Sequence, residues 1–347
     1  MTTPSPKTPK LAILAALLII YLVWGSTYLA IRIGLEGWPP ALMAGTRFVI
    51  AGALLLVVGR LRHEPWPQSW AQIRTVTIAG ILMITIGNFS VVWAELFVPS
   101  GMTAVIVATV SLWMIILEGL RPNGEPVTLA KLFGVIIGLT GVAVLMMPEL
   151  NGGQSRNALV GQFGLLLGSL SWAAGSIYTR HAPIPKSTTI GSALQMLAGG
   201  LVLLFISEIR GEFAEFEFAL IVGKPLFAIA YLIVFGSAIA FTAYIFLLHR
   251  AGPALASTYA FVNPVVAVIL GTIILDEPVT PWLLAGTVLV ILSLAVIQQA
   301  KLRKLARLVE KSHVPEGGTQ PPSARVLIQN LDAKFIATKT EPHPYRK

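Results

Sequence analysis

Residues 125–147 read EPVTLAKLFGVIIGLTGVAVLMM, and residues 277–299 read EPVTPWLLAGTVLVILSLAVIQQ. Each stretch opens on Glu-Pro-Val-Thr and then runs for about 20 residues with almost no charge, the length that crosses a hydrocarbon layer about 30 Å thick. The pair implies helices whose solvent is lipid, and a unit that recurs at a spacing of about 150 residues. Composition agrees: 55% of the 347 residues are hydrophobic and only 12% are charged, half the roughly 25% of a soluble domain. There is no cysteine, which excludes disulfides, iron–sulfur ligation and thiol chemistry.

Outward from these two stretches, apolar runs between charged or Pro/Gly punctuation predict ten spans. The first five cover 11–34, 40–59, 75–98, 100–119 and 128–147; the second five cover 159–180, 188–208, 226–248, 253–275 and 281–299. The first run continues past Trp24 with no small-residue cleavage pattern, so it reads as a retained helix. The expected organisation is a cytoplasmic N-terminus (1–10), a five-helix repeat (11–147), an extracytoplasmic linker (148–158), a second five-helix repeat (159–299) and a basic cytoplasmic tail (300–347). Lys301 to Ser312 reads as a short basic amphipathic helix on the membrane surface, and the Pro- and Gly-containing stretch after His313 as disordered.

The halves match at further anchors. Gly25-Ser26-Thr27-Tyr28 returns as Gly175-Ser176-Ile177-Tyr178, Gly87 and Ala94 fall on Gly236 and Ala243, and Gly134 on Gly286. A unit with an odd number of spans must sit upside down in its second copy, so the fold class is an all-α polytopic membrane protein of two inverted five-helix repeats, a plan common in secondary transporters. Lys and Arg fix the orientation: with the N-terminus inside, Arg60, Arg62, Arg74, Arg121, Lys131, Arg180, Lys186, Arg250 and the cluster from Lys301 to Lys311 are cytoplasmic. Both termini are then cytoplasmic. The net charge of +9 follows from this topology and from attraction to anionic lipid, with no nucleic-acid partner required.

The residues Trp24-Gly25-Ser26-Thr27, Arg47, Val98-Pro99-Ser100-Gly101, Trp172-Ala173, Ala251-Gly252-Pro253-Ala254, Tyr259, Asn263-Pro264-Val265 and Asp276-Glu277-Pro278 follow in order across residues 11–300. In that order the chain resembles the drug/metabolite transporter superfamily, specifically its EamA-type ten-helix permeases. The resemblance implies a bacterial inner-membrane permease or exporter of amino acids, other metabolites or cationic drugs, with a cavity lined by spans one to four and six to nine. Where relatives commonly carry a Pro in the fourth span this chain has Ser111 before Leu112-Trp113, which predicts a less broken helix there.

Polar groups at membrane depth are costly and must face protein, water or substrate. Arg47 falls about 10 Å below the outer surface at 1.5 Å per residue, and Glu95 at a similar depth. Their similar depth predicts an Arg47–Glu95 ion pair, either a fixed packing contact or a functional one in which Arg47 binds a substrate carboxylate or switches partner between states, with Glu95 the candidate for coupling. Candidate cavity residues are Trp24, Ser26, Arg47, Asn88, Trp172, Ser176, Gln195, Tyr259 and Asn263, with helix–helix bonding as the alternative role for each uncharged one. Trp24, Trp93, Trp113, Trp172, Tyr178, Tyr244 and Tyr259 could wall the pocket with aromatic rings, and Pro264 could hinge the ninth span. The face carrying Gly134 and Gly138 packs within a monomer or supports a homodimer.

No metal-ligand, nucleotide-binding or paired-carboxylate motif is present, so no catalytic residue, metal or cofactor is expected. The expected partners are a small-molecule substrate and the lipid bilayer. A membrane-embedded enzyme and a sensor or scaffold are the competing readings.

Overall fold

The computed structural model of the protein describes residues 10–312 apart from 123, 125, 151–155 and 218–221. Glu125 of the repeated motif, the linker at 151–155 and the tail beyond 312 lie outside the described residues. Ten spans cross the fold: α1 (Lys10–Gly34), α2 (Pro40–Leu61), α3 (Trp70–Ala94), α4 (Ser100–Leu120), α5 (Leu129–Leu150), α6 (Arg156–His181), α7 (Thr188–Ile209), α8 (Lys224–Arg250), α9 (Pro253–Ala256, then Tyr259–Leu275) and α10 (Pro281–Ser312). Among the described residues nine of these helices are by themselves long and apolar enough to cross a membrane, and Tyr259–Leu275 is a shorter apolar helix that completes the ten.

Local chemistry sets several boundaries. Ser69 accepts from the Gln72 amide and starts α3 earlier than hydropathy predicts, while a turn at 95–97 ends it earlier. Prolines at 40 and 281 begin α2 and α10, where the missing N–H costs nothing. The basic stretch from Lys301 to Ser312 continues α10 as one helix and is not a separate surface helix.

The packing obeys the repeat. α2 lies along α7 and α5 along α10; α1 packs on α9 and α8, as α6 packs on α4 and α3; α2 meets α8 as α7 meets α3. Advancing each helix by five maps this set of neighbours onto itself, as expected of two inverted five-helix repeats. The correspondence extends to winding: α3 loosens into a π-helix over Ile81–Asn88 and α8 over Leu232–Ile239, at matching places in the two halves. No sequence pattern announced these segments. The α5–α10 contact buries the Gly134 face, where an added Cβ would meet Ile297, and Gly138 abuts Ser293, whose hydroxyl donates to the Gly134 carbonyl at 2.6 Å. That face is therefore used within the chain and is not free for a homodimer.

Two predicted features of backbone change place. α9 is interrupted at Ser257–Thr258 and runs unbroken through Pro264, so the break in that helix is one turn or more before the predicted hinge. α4 is interrupted at Ala108–Thr109 without a proline, its Thr109 hydroxyl donating to the Ile106 carbonyl at 2.7 Å. A side-chain bond to the backbone substitutes for the missing ring in loosening the turn.

Candidate functional site

A cavity of about 60 Å³ lies at the meeting of α1, α2, α3, α4, α6 and α9. Trp24, Thr27, Tyr28, Arg47, Asn88, Ser169, Trp172 and Tyr259 line it, with Gly87 and Gly168 giving it room. That volume accommodates a few waters and is well short of the roughly 300 Å³ at which ligand pockets begin, so the site is nearly closed in this conformation.

One wall is aromatic. Trp24 is its hub, with ring centroids 5.6 Å from Trp172, 5.1 Å from Tyr244 and 5.0 Å from Tyr259, and Phe241 lies 6.0 Å from Trp172. Most of these contacts are edge-to-face, the geometry that aromatic quadrupoles favour. The π-wound part of α8 supports the wall, because the carbonyl of Gly236 accepts from Trp24 Nε1 at 3.1 Å. Of the predicted aromatic set, Trp93 pairs instead with Phe97 at 5.6 Å, and Tyr178 faces a separate crevice beside His181.

Arg47, 2% exposed, lines the same cavity. Its Nε donates to the Ser237 hydroxyl at 2.7 Å and its guanidinium lies 4.7 Å above the Phe48 ring, but Nη1 has no partner. The predicted ion pair with Glu95 is not made. Both Glu95 carboxylate oxygens are buried without a hydrogen-bond partner, and the carbonyl of Glu95 accepts from the Arg32 guanidinium. Ser237, from the other half of the chain, takes the place the sequence assigned to Glu95. An acceptor is also unused at the cavity: Asn88 Oδ1 is buried and unpaired. Ser169 Oγ and Trp172 Nε1, also on the lining, are buried and unpaired as well; such atoms cost about 1–3 kcal/mol each, so four of them around one cavity require a physical reason.

Of the sequence-predicted residues, Trp24, Arg47, Asn88, Trp172 and Tyr259 line this cavity, while Ser26, Ser176, Gln195 and Asn263 do not. Ser26 bonds the Tyr231 hydroxyl at 2.6 Å, and Ser176 bonds that of Tyr244 at 2.8 Å behind the aromatic wall. With its amide oriented so that the nitrogen faces the two carbonyls around it, Asn263 donates to Tyr21 at 3.1 Å and Tyr259 at 3.2 Å, holding α9 against α1. Gln195 lies on the α3–α7 contact, where its carbonyl is so near Gly80 that no Cβ would fit. Ser26, Ser176 and Asn263 join helices, as polar side chains in lipid commonly do, whereas Gln195 Oε1 is buried without a partner. Tyr28, Thr27 and Ser169 line the cavity without having been singled out; Tyr28 stands in the repeated Gly-Ser-Thr-Tyr stretch, which was the available signal.

Two larger crevices flank the cavity at opposite ends of α4. One of about 430 Å³ is bounded by Glu118, Lys131, Arg180, Gly252, Phe261 and Gln298; the other, about 500 Å³, by Arg32, Glu36, Pro99, Asp276 and Glu277. The described residues hold no cluster of three or more His, Asp or Glu suited to a metal ion.

The pattern of the EamA-like transporter family matches residues 10–147 and again 159–298. The Uncharacterized inner membrane transporter YedA of Escherichia coli K12 is 41% identical over 281 residues, covering 80% of this chain and 88% of that protein. The Uncharacterized transporter YvbV of Bacillus subtilis is 28% identical over 311 residues, 87% of this chain and 96% of that one. The Probable amino-acid metabolite efflux pump of Salmonella typhimurium is 25% identical, covering 84% of this chain and 96% of that protein. A solved crystal structure, 21% identical, shares the fold with a TM-score of 0.60 over 85% of this chain and 99% of its own.

Proposed function

Because the chain belongs to the EamA-like transporter family, we propose that it is a secondary transporter of the inner membrane that exports small organic metabolites, amino acids before cationic drugs. The observation that carries the choice is Arg47. A buried guanidinium with a free Nη1 beside a ring-lined cavity offers a carboxylate a charge-assisted hydrogen bond and repels a cation. Asn88 Oδ1 can accept from an ammonium, and the rings of Trp24, Trp172 and Tyr259 suit its charge and an apolar side chain. Together these match an α-amino acid zwitterion, and the name of the Salmonella relative points the same way.

The two inverted halves would expose the cavity alternately to each face, with both termini in the cytoplasm and Arg180 and Lys131 marking the inner crevice. Glu95, buried with both oxygens unpaired, is the candidate for proton coupling. The test is flux in proteoliposomes of purified protein, screening amino acids and aromatic cations with and without a pH gradient. Movement of cations alone would overturn the role given to Arg47, and flux indifferent to the gradient would remove Glu95 from coupling.

A further inference from the structure

α4 and α9 are joined at one end and parted at the other. The N-terminal half of α4 packs directly on Tyr259–Leu275, while its C-terminal half packs on α6 and leaves the 430 Å³ crevice beside Gly252, Ser257 and Phe261. Across the parted end the Ser111 hydroxyl donates to the Ser257 carbonyl at 3.1 Å. At the joined end stands one carboxylate. Glu277 Oε1 accepts from the Ser100 amide at 2.9 Å, and Oε2 accepts from the Ser100 hydroxyl at 2.9 Å and the Gly101 amide at 3.2 Å.

We propose that Glu277 is the latch of one gate of the transport cycle, its carboxylate holding the end of α9 on the first turn of α4 and releasing it when the cavity opens to that side. The inference goes beyond the transporter reading and rests on it. The first-turn amides of α4 have no partner inside their helix, and the helix dipole favours an anion there, so the bond is strong while made. The turn that delivers Glu277 is a specific one. Asp276 adopts a left-handed conformation (φ 53°), and the Glu277 amide returns to the Gly271 carbonyl at 3.1 Å. Gly271 lets the carboxylate lie on the helix, since a Cβ there would sit 2.5 Å from Oε2; Gly101 abuts Val268 in the same way. The bond is also replaceable. Arg32 lines the 500 Å³ crevice with Glu277 and can receive the freed carboxylate, while water can reach the freed amides. A carrier that reverses which end of α4–α9 is closed must break this contact in each cycle.

The absence of native cysteine makes the test direct. Ala267→Cys places a thiol at a fully buried position one turn from Gly271 on the same face of α9. Its reaction with a membrane-impermeant maleimide, applied in sealed vesicles of each orientation, reads opening of this seam with no substrate needed, so a failure to find flux does not affect it. With Glu277 present the thiol should react slowly; Glu277→Ala should speed labelling about tenfold from the Glu277 side only, the scale of one charge-assisted hydrogen bond. Ala193→Cys, buried on the α2–α7 contact, should not change. Equal labelling of Ala267→Cys with and without Glu277 overturns the proposal, as does a parallel rise at Ala193→Cys, which would mean general loosening. If Glu277→Ala does not accumulate, Ser100→Ala removes one of the three donors and should give a smaller rise of about threefold by the same criterion.

Discussion

Two of the seams between the halves, α2–α7 and α4–α9, are fastened in different ways. α2–α7 is held at both ends: Glu64 accepts from Ser187 and from Thr189 at one end, and Glu212 accepts from the Leu42 amide at 2.8 Å at the other. Between them Gly45, Gly52 and Gly59 bring α2 onto Leu204, Leu197 and Ile190 along the whole length. α4–α9 has a carboxylate at the Glu277 end only; at the other a crevice opens beside the neutral Ser111–Ser257 bond. The difference suggests a division of labour: a pair fastened by carboxylates at both ends serves as a fixed axis, and a pair with a carboxylate at one end and a crevice at the other can scissor. Arg47 stands on the α2–α7 pair, so under the proposed function the anchor offered to substrate would stay in place while α4–α9 moves.

The largest expected effect comes from locking the movable seam. A Cβ on Gly101 would lie 3.6 Å from that of Val268, within the range a disulfide spans. In the cysteine-free chain the Gly101→Cys/Val268→Cys pair should lose transport on oxidation and regain it on reduction. Flux that persists in the oxidised protein would show that α4–α9 does not part at that end. Next in size is Arg47→Ala, which should lower flux at least tenfold while Arg60→Ala, at matched protein levels, leaves it near normal. Equal flux from the two would remove Arg47 from the mechanism and leave the fixed seam a structural element alone.

The fixed seam should answer to volume and not to sidedness. A Cβ on Gly200 would lie 2.9 Å from the Val49 amide nitrogen and 3.1 Å from Phe48 Cβ, with no flexible chain end to yield. Gly200→Ala should therefore cost about 1–3 kcal/mol of stability, read as a lower unfolding midpoint in detergent. Maleimide reaction of Ala267→Cys should be unchanged in that background; faster reaction there would mean that the two seams move as one.

Much of this contrast was legible in the sequence in outline, and the remainder depends on proximity that sequence does not encode. Ten apolar runs and the repeated Glu-Pro-Val-Thr gave the spans and the two-repeat plan because helix length and duplication are properties of the chain itself. Burial of Arg47 followed from its depth, but its partner did not. Ser237 is 190 positions away and reaches Arg47 only through the α2–α8 contact, whereas Glu95 looked closer by charge. Polarity alone also failed to separate cavity from seam, since Ser26, Ser176 and Asn263 carry the same groups as Asn88 and differ only in having found partners. The π-wound segments that give Trp24 its carbonyl partner leave no mark in composition.

The smallest effect tests the fixed seam at its end. Glu212 is 3% exposed, caps the start of α2 through the Leu42 amide and pairs with half-exposed Arg210 at 3.0 Å. The pair with Arg210 is open to water and contributes little, so most of what Glu212 supplies is the cap, about 1 kcal/mol. Glu212→Ala should lower the unfolding midpoint slightly and leave both flux and Ala267→Cys labelling within twofold. Glu277→Ala removes the same chemistry, a carboxylate on a helix N-terminus, yet should change accessibility far more than stability. The proposal makes the consequence of losing such a bond depend on the seam it closes: on a pair with carboxylates at both ends it softens the structure, and on a pair with a carboxylate at one end it selects the conformation. A Glu212→Ala protein that labelled as fast as Glu277→Ala would end the distinction between axis and gate.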